Sequence, residues 1–179
     1  MKNRAVFLDR DGVINQVILK NGRPHPPTSL KNLKIIPGVK EAISRLKEAG
    51  FIIIVVSNQP DVARGTLDRK NVEEINRWLG YKLLIDSFMI CYHDDSDMCS
   101  CRKPRPGMLV SAAKQWQLDL TGSFMVGDRW KDISAGNAAN CTTLFINYGY
   151  NEEQPESSDY IVGSLFEAAN LILGDKNAQ

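Results

Sequence analysis

Two continuous apolar runs with an amphipathic segment between them constrain the fold of this chain more than any other feature. The first run covers residues 5–8 and ends at Asp9, and the second, FIIIVV at 51–56, ends at Ser57. Short unbroken apolar runs are typical of strands buried on both faces. In the interval 38–49 apolar residues recur at helical spacing. The sequence therefore predicts a strand, helix, strand unit.

The same alternation continues to the end of the chain. Further helices are predicted at about 68–84, 106–116, 131–139 and 165–173, and further strands at about 87–92, 123–127, 143–146 and 160–162. Such alternation favours an α/β fold, in which a doubly wound, mainly parallel, Rossmann-like sheet lies between two layers of helices. We expect one domain over residues 1–179, with a long ordered loop at 15–36 and a polar surface loop at 151–159.

Composition and charge exclude several classes of function. Of the 179 residues 43% are apolar, which is enough to bury a core without disulfide bonds. The 22 basic and 21 acidic residues nearly cancel, so no general attraction to nucleic acid or anionic lipid is expected. No run approaches the roughly 20 apolar residues of a membrane span, and the N-terminal run is too short for a signal peptide. We predict a cytoplasmic monomer that binds neither membranes nor nucleic acid.

An aspartate pair follows the first predicted strand. Asp9 and Asp11 lie two residues apart, with Gly12 after them. Neighbouring carboxylates repel each other unless a proton or a cation offsets their charge, and Mg²⁺ prefers oxygen ligands. One aspartate could then attack phosphorus while the other transfers a proton to the leaving oxygen. The alternative is an ordinary turn, because Asp-x-Asp-Gly is also a frequent loop sequence.

Three later segments place polar groups at the ends of predicted strands. Ser57 and Asn58 could donate hydrogen bonds to phosphoryl oxygens, and Lys103 would bring a positive charge to an anion. Asp128 and Asp132 lie one helical turn apart, which suits a metal ligand and a supporting carboxylate. Each segment alone is equally well explained as a loop, an exposed lysine or a helix cap. Since the carboxyl ends of parallel strands share one crevice, we expect the segments to meet there.

A cluster of potential zinc ligands precedes the lysine. Cys91, His93, Cys99 and Cys101 occupy a short stretch of the chain. Four such ligands suit a closed tetrahedral Zn²⁺ site, which would be structural because no position remains for water. Zinc would also order the polar segment between the ligands. The alternative is three free thiols and a surface histidine. Cys141 is predicted to be a plain buried thiol.

The four polar segments resemble the motifs of the haloacid dehalogenase (HAD) phosphohydrolases. The matching stretches are FLDRDGVIN at 7–15, SNQ at 57–59, RKP at 102–104 and GDRWKD at 127–132. This resemblance implies a HAD-like fold in which Asp9 is the nucleophile that forms an aspartyl phosphate and Asp11 is the general acid and base. It also implies that Ser57 and Lys103 hold the transferred phosphoryl group.

The resemblance extends to the metal. It implies that Mg²⁺ binds the Asp9 carboxylate, the Asp11 backbone carbonyl and Asp128, while Asp132 supports these ligands without binding the ion itself. Phosphoryl transfer chiefly requires in-line positioning and neutralisation of charge on the phosphoryl oxygens. A site of this kind would supply both.

The spacing of the cysteines and histidine narrows the resemblance. C-x-H followed by C-x-CRKP is similar to the zinc-binding D-glycero-D-manno-heptose 1,7-bisphosphate phosphatases and to the histidinol-phosphatase domains close to them. The resemblance implies that Arg102 and Arg129 contact the substrate, with Asn58 and Gln59 beside it. The segment 16–29 differs from the substrate loop of the heptose enzymes, so the motifs specify the chemistry more closely than the sugar.

The intervals between the motifs leave no room for a cap domain of usual size. Residues 12–36 are too few, and residues 58–102 already contain a helix, a strand and the predicted zinc loop. We therefore expect that only loops cover the site. Lys20, Arg23 and Arg64 are candidates for binding a second phosphate at this open rim, although exposed cations are usually only solvated.

Three functions are consistent with these observations. The first is a Mg²⁺-dependent HAD phosphatase acting on a small sugar phosphate; the expected target is the C7 phosphate of a heptose 1,7-bisphosphate used for bacterial lipopolysaccharide. The second keeps the chemistry but changes the substrate to histidinol phosphate or another phosphomonoester. The third is a non-catalytic binding module held together by zinc. Because every acid and base that the mechanism requires is present, an enzyme is favoured.

Overall fold

A six-stranded parallel sheet forms the centre of the molecule. This computed structural model describes residues 2–174, except for the side chain of Arg23. The strands are β1 (Ala5–Leu8), β2 (Ile18–Lys20), β3 (Arg23–His25), β4 (Ile52–Asn58), β5 (Ser87–Cys91), β6 (Phe124–Gly127), β7 (Thr142–Ile146) and β8 (Tyr160–Val162). The helices are α1 (Val39–Glu48), α2 (Arg69–Leu83), α3 (Gly107–Trp116), α4 (Trp130–Ala138) and α5 (Leu165–Leu173). The sheet order is β5-β4-β1-β6-β7-β8, and β2 and β3 form a separate antiparallel hairpin.

Helices cover both faces of the sheet. In β1, Val6 and Leu8 belong to the core cluster that contains α1, α2 and α5, whereas Ala5 and Phe7 belong to the cluster that contains α3 and α4. All four side chains are fully buried. A central strand with helices on both sides needs apolar residues at every position, which explains the unbroken apolar run. The predicted α/β class and its three layers are confirmed.

The strand order brings two of the predicted motifs to one crevice. The chain builds the sheet outward from β1 through β4 to β5, then crosses to β6 on the other side of β1. The direction of winding therefore reverses between β1 and β6, where open α/β sheets place their ligands. The Asp9 amide donates a hydrogen bond to the Val126 carbonyl at 3.0 Å. This contact holds the end of β1 beside the segment that carries Asp128.

The segment 15–36 is more regular than predicted. The expectation of a loop without secondary structure was wrong, because the segment contains the β2–β3 hairpin and a 3-10 turn at Leu30–Asn32. Asn21 and Gly22 both have positive φ, at 52° and 73°, and Asn-Gly is the preferred sequence for a two-residue hairpin turn. The strands were missed because each has three residues and one of them contains a proline.

The connections that follow β1, β4 and β5 surround the carboxyl end of the sheet. Between β1 and α1 the chain forms the hairpin and the 3-10 turn, and between β4 and β5 it forms α2. The connection from β5 to α3 contains another 3-10 turn at Asp95–Asp97. None of the helices within residues 2–174 combines the length and the hydropathy needed to span a bilayer.

Candidate active site

A buried lysine lies at the centre of the crevice. The Lys103 ammonium donates hydrogen bonds to Asp9 Oδ1 at 2.7 Å and to the Val56 carbonyl at 2.6 Å, and lies 2.6 Å from Asp132 Oδ1. Only 2% of the lysine is exposed. Burial alone would lower the pKa of Lys103, but the carboxylates of Asp132 and Asp9 outweigh it and raise that pKa. The lysine is therefore a fixed positive charge within the site.

Three buried carboxylates gather beside this lysine. Asp9, Asp128 and Asp132 each offer an oxygen, and these oxygens all lie within 4.8 Å of one another. Both oxygens of Asp128 are buried, and no described residue donates a hydrogen bond of ordinary geometry to either of them, although the Tyr150 hydroxyl lies near enough to lower the pKa of Asp128. Unpaired buried carboxylate oxygens are costly unless a cation binds them. The cluster therefore fits a hard divalent cation such as Mg²⁺, which takes oxygen ligands.

The raised pKa values of two of these carboxylates favour the binding of a cation at the cluster. Burial raises the pKa of Asp128 well above its ordinary value, and the nearby Asp9 and Asp132 carboxylates add to the effect. Burial also raises the pKa of Asp9 to about 6, with Lys103 opposing the shift and Asp132 and Asp11 adding to it. Both acids would ionise more readily if a cation bound between them.

Two glycines allow the carboxylates to approach the backbone. A side chain at Gly12, whose φ is +95°, would overlap the Asp128 carboxylate. A side chain at Gly127 would overlap Asp132. Because glycine has no Cβ, both positions leave this space to a carboxylate, and Gly12 can also adopt its left-handed conformation.

Asp11 is held at the mouth of the crevice by several donors. Arg10 donates to its Oδ2 at 2.9 Å, Asn15 to Oδ1 at 2.9 Å and Gln59 to Oδ2 at 2.7 Å. Arg10 is itself fully buried and donates from its other nitrogen to Asn76 at 3.0 Å. The Asp11 side chain nevertheless keeps 14% of its surface exposed. These donors thus hold the Asp11 carboxylate in one orientation while it remains accessible from the cavity.

The second motif connects the sheet to the lysine segment. Asn58 donates to the Lys103 carbonyl at 3.0 Å and accepts from the Lys103 amide at 3.1 Å. Gln59 donates to the Ser57 hydroxyl at 3.0 Å. Ser57 lies at the end of β4 and is 1% exposed. Asn58 therefore positions Lys103 and is also accessible from the crevice, whereas Gln59 positions Asp11 and is itself buried.

A cavity of about 250 Å³ opens above these groups. Its floor contains Asp9, Asp11, Lys103 and Asp132. The hairpin and the segment after it contribute Pro24, His25 and Pro26 to the wall, and Arg64, Arg129 and Lys131 lie around the rim. Of the rim cations expected from the sequence, Arg64 lines the cavity, Lys20 is exposed away from it, and the side chain of Arg23 lies outside the described residues.

The segment between the cysteines holds two arginines at one side of the site. Arg64 donates to both oxygens of Asp94, at 2.6 and 2.8 Å. Arg102 donates to Asp95 at 2.7 Å and to the His93 carbonyl at 3.3 Å. Arg102 is 8% exposed and does not line the cavity. Arg102, which was predicted to contact the substrate, therefore lies behind the cavity wall, where it supports Asp95.

Arg129 is held from the opposite side. Its guanidinium donates to both carboxylate oxygens of Glu152, one of them at 2.8 Å, and its amide donates to Asp132 at 3.0 Å. Burial would lower the pKa of Arg129, but the hydrogen bonds to Glu152 outweigh it and raise that pKa. Arg129 lines the cavity with 41% of its side chain exposed. It therefore presents a charge to the cavity that is partly neutralised by Glu152.

The cysteines and histidine meet as a second cluster. Cys91 Sγ lies 3.6 Å from His93 Nδ1 and 3.7 Å from Cys99 Sγ. Cys101 Sγ lies slightly closer, at 3.2 Å from Cys91 Sγ, 3.4 Å from Cys99 Sγ and 3.3 Å from His93 Nδ1. None of the four cysteines in the described chain is in a disulfide. Ligands around a tetrahedral zinc ion with Zn–S bonds of about 2.3 Å are separated by roughly 3.5–3.8 Å. The cluster fits zinc, whereas Cys141 is buried elsewhere, as predicted.

Comparison with known proteins agrees with this geometry. The family model described as haloacid dehalogenase-like hydrolase matches residues 28–140. A relative from Photorhabdus laumondii is 34% identical, and the match covers 96% of each chain. The chain belongs to the haloacid dehalogenase-like hydrolases. The resemblance inferred from the four motifs is confirmed.

Named relatives and a solved structure narrow the position of the chain within the HAD family. The Photorhabdus laumondii relative is a D-glycero-beta-D-manno-heptose-1,7-bisphosphate 7-phosphatase, as is a relative from Escherichia coli strain K12 that is 34% identical, with 94% of this chain and 93% of the relative covered. The crystal structure of D,D-heptose 1,7-bisphosphate phosphatase from B. bronchiseptica, in complex with magnesium and phosphate, superposes with a TM-score of 0.83. That pair is 29% identical, and 96% of this chain and 99% of the other are covered.

Several residues that build the site were not predicted. Arg10 stands between the two aspartates of the first motif, but no sequence pattern indicates that its side chain turns inward to contact Asn76. Glu152 lies in a segment predicted as a polar surface loop, and its contact with Arg129 spans 23 positions. Asp95 lies in the polar segment between the predicted zinc ligands, and the sequence predicts no role for it. Such partners depend on how distant loops fold, which local patterns do not encode.

Proposed function

We propose that this HAD hydrolase is a Mg²⁺-dependent phosphatase that removes the C7 phosphate of a heptose 1,7-bisphosphate. The observation that carries the proposal is the buried cluster of Asp9, Asp128 and Asp132 around Lys103, in a chain whose relatives of about one-third identity bear that name. A structural role alone does not account for three adjacent buried carboxylates with one lysine, because their mutual repulsion opposes folding.

The nucleophile in this proposal is Asp9. Lys103 engages its Oδ1, and we assign the attack on phosphorus to Oδ2. The new bond joins Oδ2 to phosphorus as the bond to the sugar oxygen breaks, which leaves an aspartyl phosphate. Lys103 also offsets the charge of the transferred group, and Ser57 at the end of β4 is assigned to hydrogen-bond its oxygens.

The proton transfers belong to Asp11. In the first half-reaction it donates a proton to the leaving sugar oxygen, and in the second it removes one from the water that attacks the aspartyl phosphate. Arg10 and Gln59 hold the carboxylate in one orientation at the cavity mouth. The free sugar phosphate and inorganic phosphate are the products.

Magnesium is assigned to the Asp9 carboxylate, the Asp11 backbone carbonyl and Asp128, with Asp132 as support. When bound, the ion neutralises charge on the phosphoryl oxygens. The unpaired oxygens of Asp128 supply the structural reason for this assignment. Substrate contacts of Arg129 and Asn58, which line the cavity, belong to the same proposal. Arg102 and Gln59 are assigned to support the site from behind the cavity wall. A monomeric state and a cytoplasmic location are also proposed.

A panel of phosphate esters tests the proposed substrate. We expect purified protein with Mg²⁺ to release phosphate from the heptose 1,7-bisphosphate with a kcat/KM at least about tenfold above that for histidinol phosphate, nucleotides or p-nitrophenyl phosphate. Phosphate release is measured side by side at one protein concentration. A preference for histidinol phosphate would favour the second enzyme hypothesis. Protein that is folded and loaded with metal but releases phosphate from none of them would favour a binding module.

Zinc is proposed to hold the loop that carries Asp94 and Asp95. We expect the Cys101→Ser variant to lose zinc and to unfold at a temperature lower by roughly 6–12 °C, since losing a structural metal site costs several kcal/mol. Metal analysis of protein purified without chelator, followed by thermal unfolding, measures both effects. The matched control is Cys141→Ser, which changes a buried thiol outside the cluster and is expected to retain zinc. Wild-type protein that lacks near-stoichiometric zinc would contradict the proposal.

A further inference from the structure

One cation at the cavity has no close carboxylate partner. Lys131 lines the same cavity as Asp9 and Lys103, and 26% of its side chain is exposed. Its ammonium lies 3.9 Å from Asp95 Oδ1 and 5.5 Å from the centre of the Trp130 ring. That Asp95 oxygen already accepts from Arg102 at 2.7 Å, so its attraction for Lys131 is shared.

The other lysine and arginine side chains on the cavity wall are engaged at shorter distances. Lys103 is fixed by Asp9 and Asp132, as described above. Arg64 is bound by both oxygens of Asp94, and Arg129 by both oxygens of Glu152. An incoming anion would have to compete with these carboxylates for the two arginines. Lys131 can bind an anion without first breaking a short ion pair.

The position of Lys131 at the start of α4 also favours a role in binding an anion. It is the second residue of α4, whose first turn also carries Asp132. Exposed backbone amides give the start of a helix a partial positive charge, so a lysine there is disfavoured relative to an acidic residue. Helix stability therefore does not explain this lysine, whereas an anion at the cavity would be attracted by the ammonium and the helix terminus together.

We propose that Lys131 is a specificity-determining residue that binds the phosphate which is not transferred. The inference rests on the proposed function, because a bisphosphate substrate places one phosphate at Asp9 and needs a cation for the other. The Lys131 ammonium lies near Asp95 and the Trp130 ring, and Asp95 neutralises it only in part because the same oxygen accepts from Arg102. The second phosphate would pair with this ammonium. A substrate with one phosphate gains nothing from this contact.

The test compares how strongly the enzyme prefers two phosphates over one. In Lys131→Met the ratio of kcat/KM for the heptose bisphosphate to that for p-nitrophenyl phosphate is expected to fall about 10–100-fold, the usual size of one charge-assisted hydrogen bond. Lys131→Arg should recover most of the ratio, because the charge is kept. The heptose 1-phosphate product should also inhibit p-nitrophenyl phosphate hydrolysis at least about tenfold more weakly in Lys131→Met than in wild type.

Three outcomes separate this inference from the proposed function. A ratio that does not change in Lys131→Met, or an equal loss on both substrates, overturns the role of Lys131 even if the wild type prefers the bisphosphate. A wild type that hydrolyses p-nitrophenyl phosphate but not the bisphosphate overturns the proposed function first. The control is Lys114→Met on the exposed side of α3, which should leave the ratio unchanged. Thermal unfolding of both variants verifies that each is folded.

Discussion

The Asp9→Asn variant is expected to lose at least a factor of about 10³–10⁴ in phosphate release, because the amide cannot form the aspartyl phosphate. Asparagine keeps the size of the side chain but is a poor nucleophile. The loss should appear in kcat for every ester in the panel, including p-nitrophenyl phosphate. A variant that hydrolyses esters at the wild-type rate would exclude Asp9 as the nucleophile.

The fold of this variant should survive, and the direction of the Asp9 pKa explains why. Burial raises that pKa from 3.8 to about 6 despite the neighbouring Lys103. An acid whose pKa is higher in the folded state opposes folding once it is ionised, so its cost in the metal-free protein develops as the pH rises from about 4 to above 6. At pH 7 without Mg²⁺, the neutral asparagine removes that cost. Asp9→Asn should therefore unfold at the same or a higher temperature than wild type.

A second aspartate in the cavity provides the matched control for activity. Asp61 lines the same cavity, keeps 28% of its side chain exposed and lies 3.5 Å from Arg64. It belongs to none of the four motifs. Asp61→Asn should reduce phosphate release by less than about tenfold, because it removes only an exposed ion pair. A comparable loss in both variants would indicate that the cavity is sensitive to any change of charge.

The convergence of the candidate site residues at one crevice could be predicted because it follows from the backbone. The polar residues of three motifs lie at or directly after the carboxyl ends of β1, β4 and β6, which parallel strands deliver to one crevice, whereas Lys103 belongs to the connection after β5. The reversal between β1 and β6 then brings Asp9 to Asp128. At the other end of these strands the Ala5 amide donates to the hydroxyl of Ser123, which is 118 positions away in the sequence. Sequence patterns contain this information because burial on both faces requires apolar residues along most of β1, β4 and β6.

The partners of the arginines could not be predicted in the same way. Arg64 and Arg102 are bound by Asp94 and Asp95, whose positions depend on the cysteine and histidine cluster and on a short 3-10 turn. The sequence did indicate a zinc loop that orders this stretch. It did not indicate which aspartate of the loop would bind which arginine. Which ion pairs such long flexible side chains form depends on the final conformation of the loops, and alternative pairings differ little in free energy.

The largest loss of stability is expected for Lys103→Met. The methionine fills similar volume but leaves Asp9 and Asp132 buried without their shared cation. Removing one partner of a buried ion pair typically costs about 3–5 kcal/mol, so the unfolding temperature should fall by roughly 6–20 °C. Phosphate release should be lost as well. For comparison, Lys47→Met breaks a partly exposed pair with Asp86 and should cost less than about 1 kcal/mol.

Magnesium and pH distinguish loss of charge from loss of packing in Lys103→Met. If unpaired carboxylates cause the damage, Mg²⁺ should raise the unfolding temperature of the variant more than that of wild type, because the ion supplies part of the missing positive charge. The deficit should also shrink as the pH falls and Asp9 becomes protonated, since in the variant Lys103 no longer opposes the rise in the pKa of Asp9. Adding Asp132→Asn to Lys103→Met should restore part of the stability, which a double-mutant cycle measures. A deficit that is the same at pH 5 and pH 8, and with and without Mg²⁺, would mean that Lys103 stabilises the fold by packing alone.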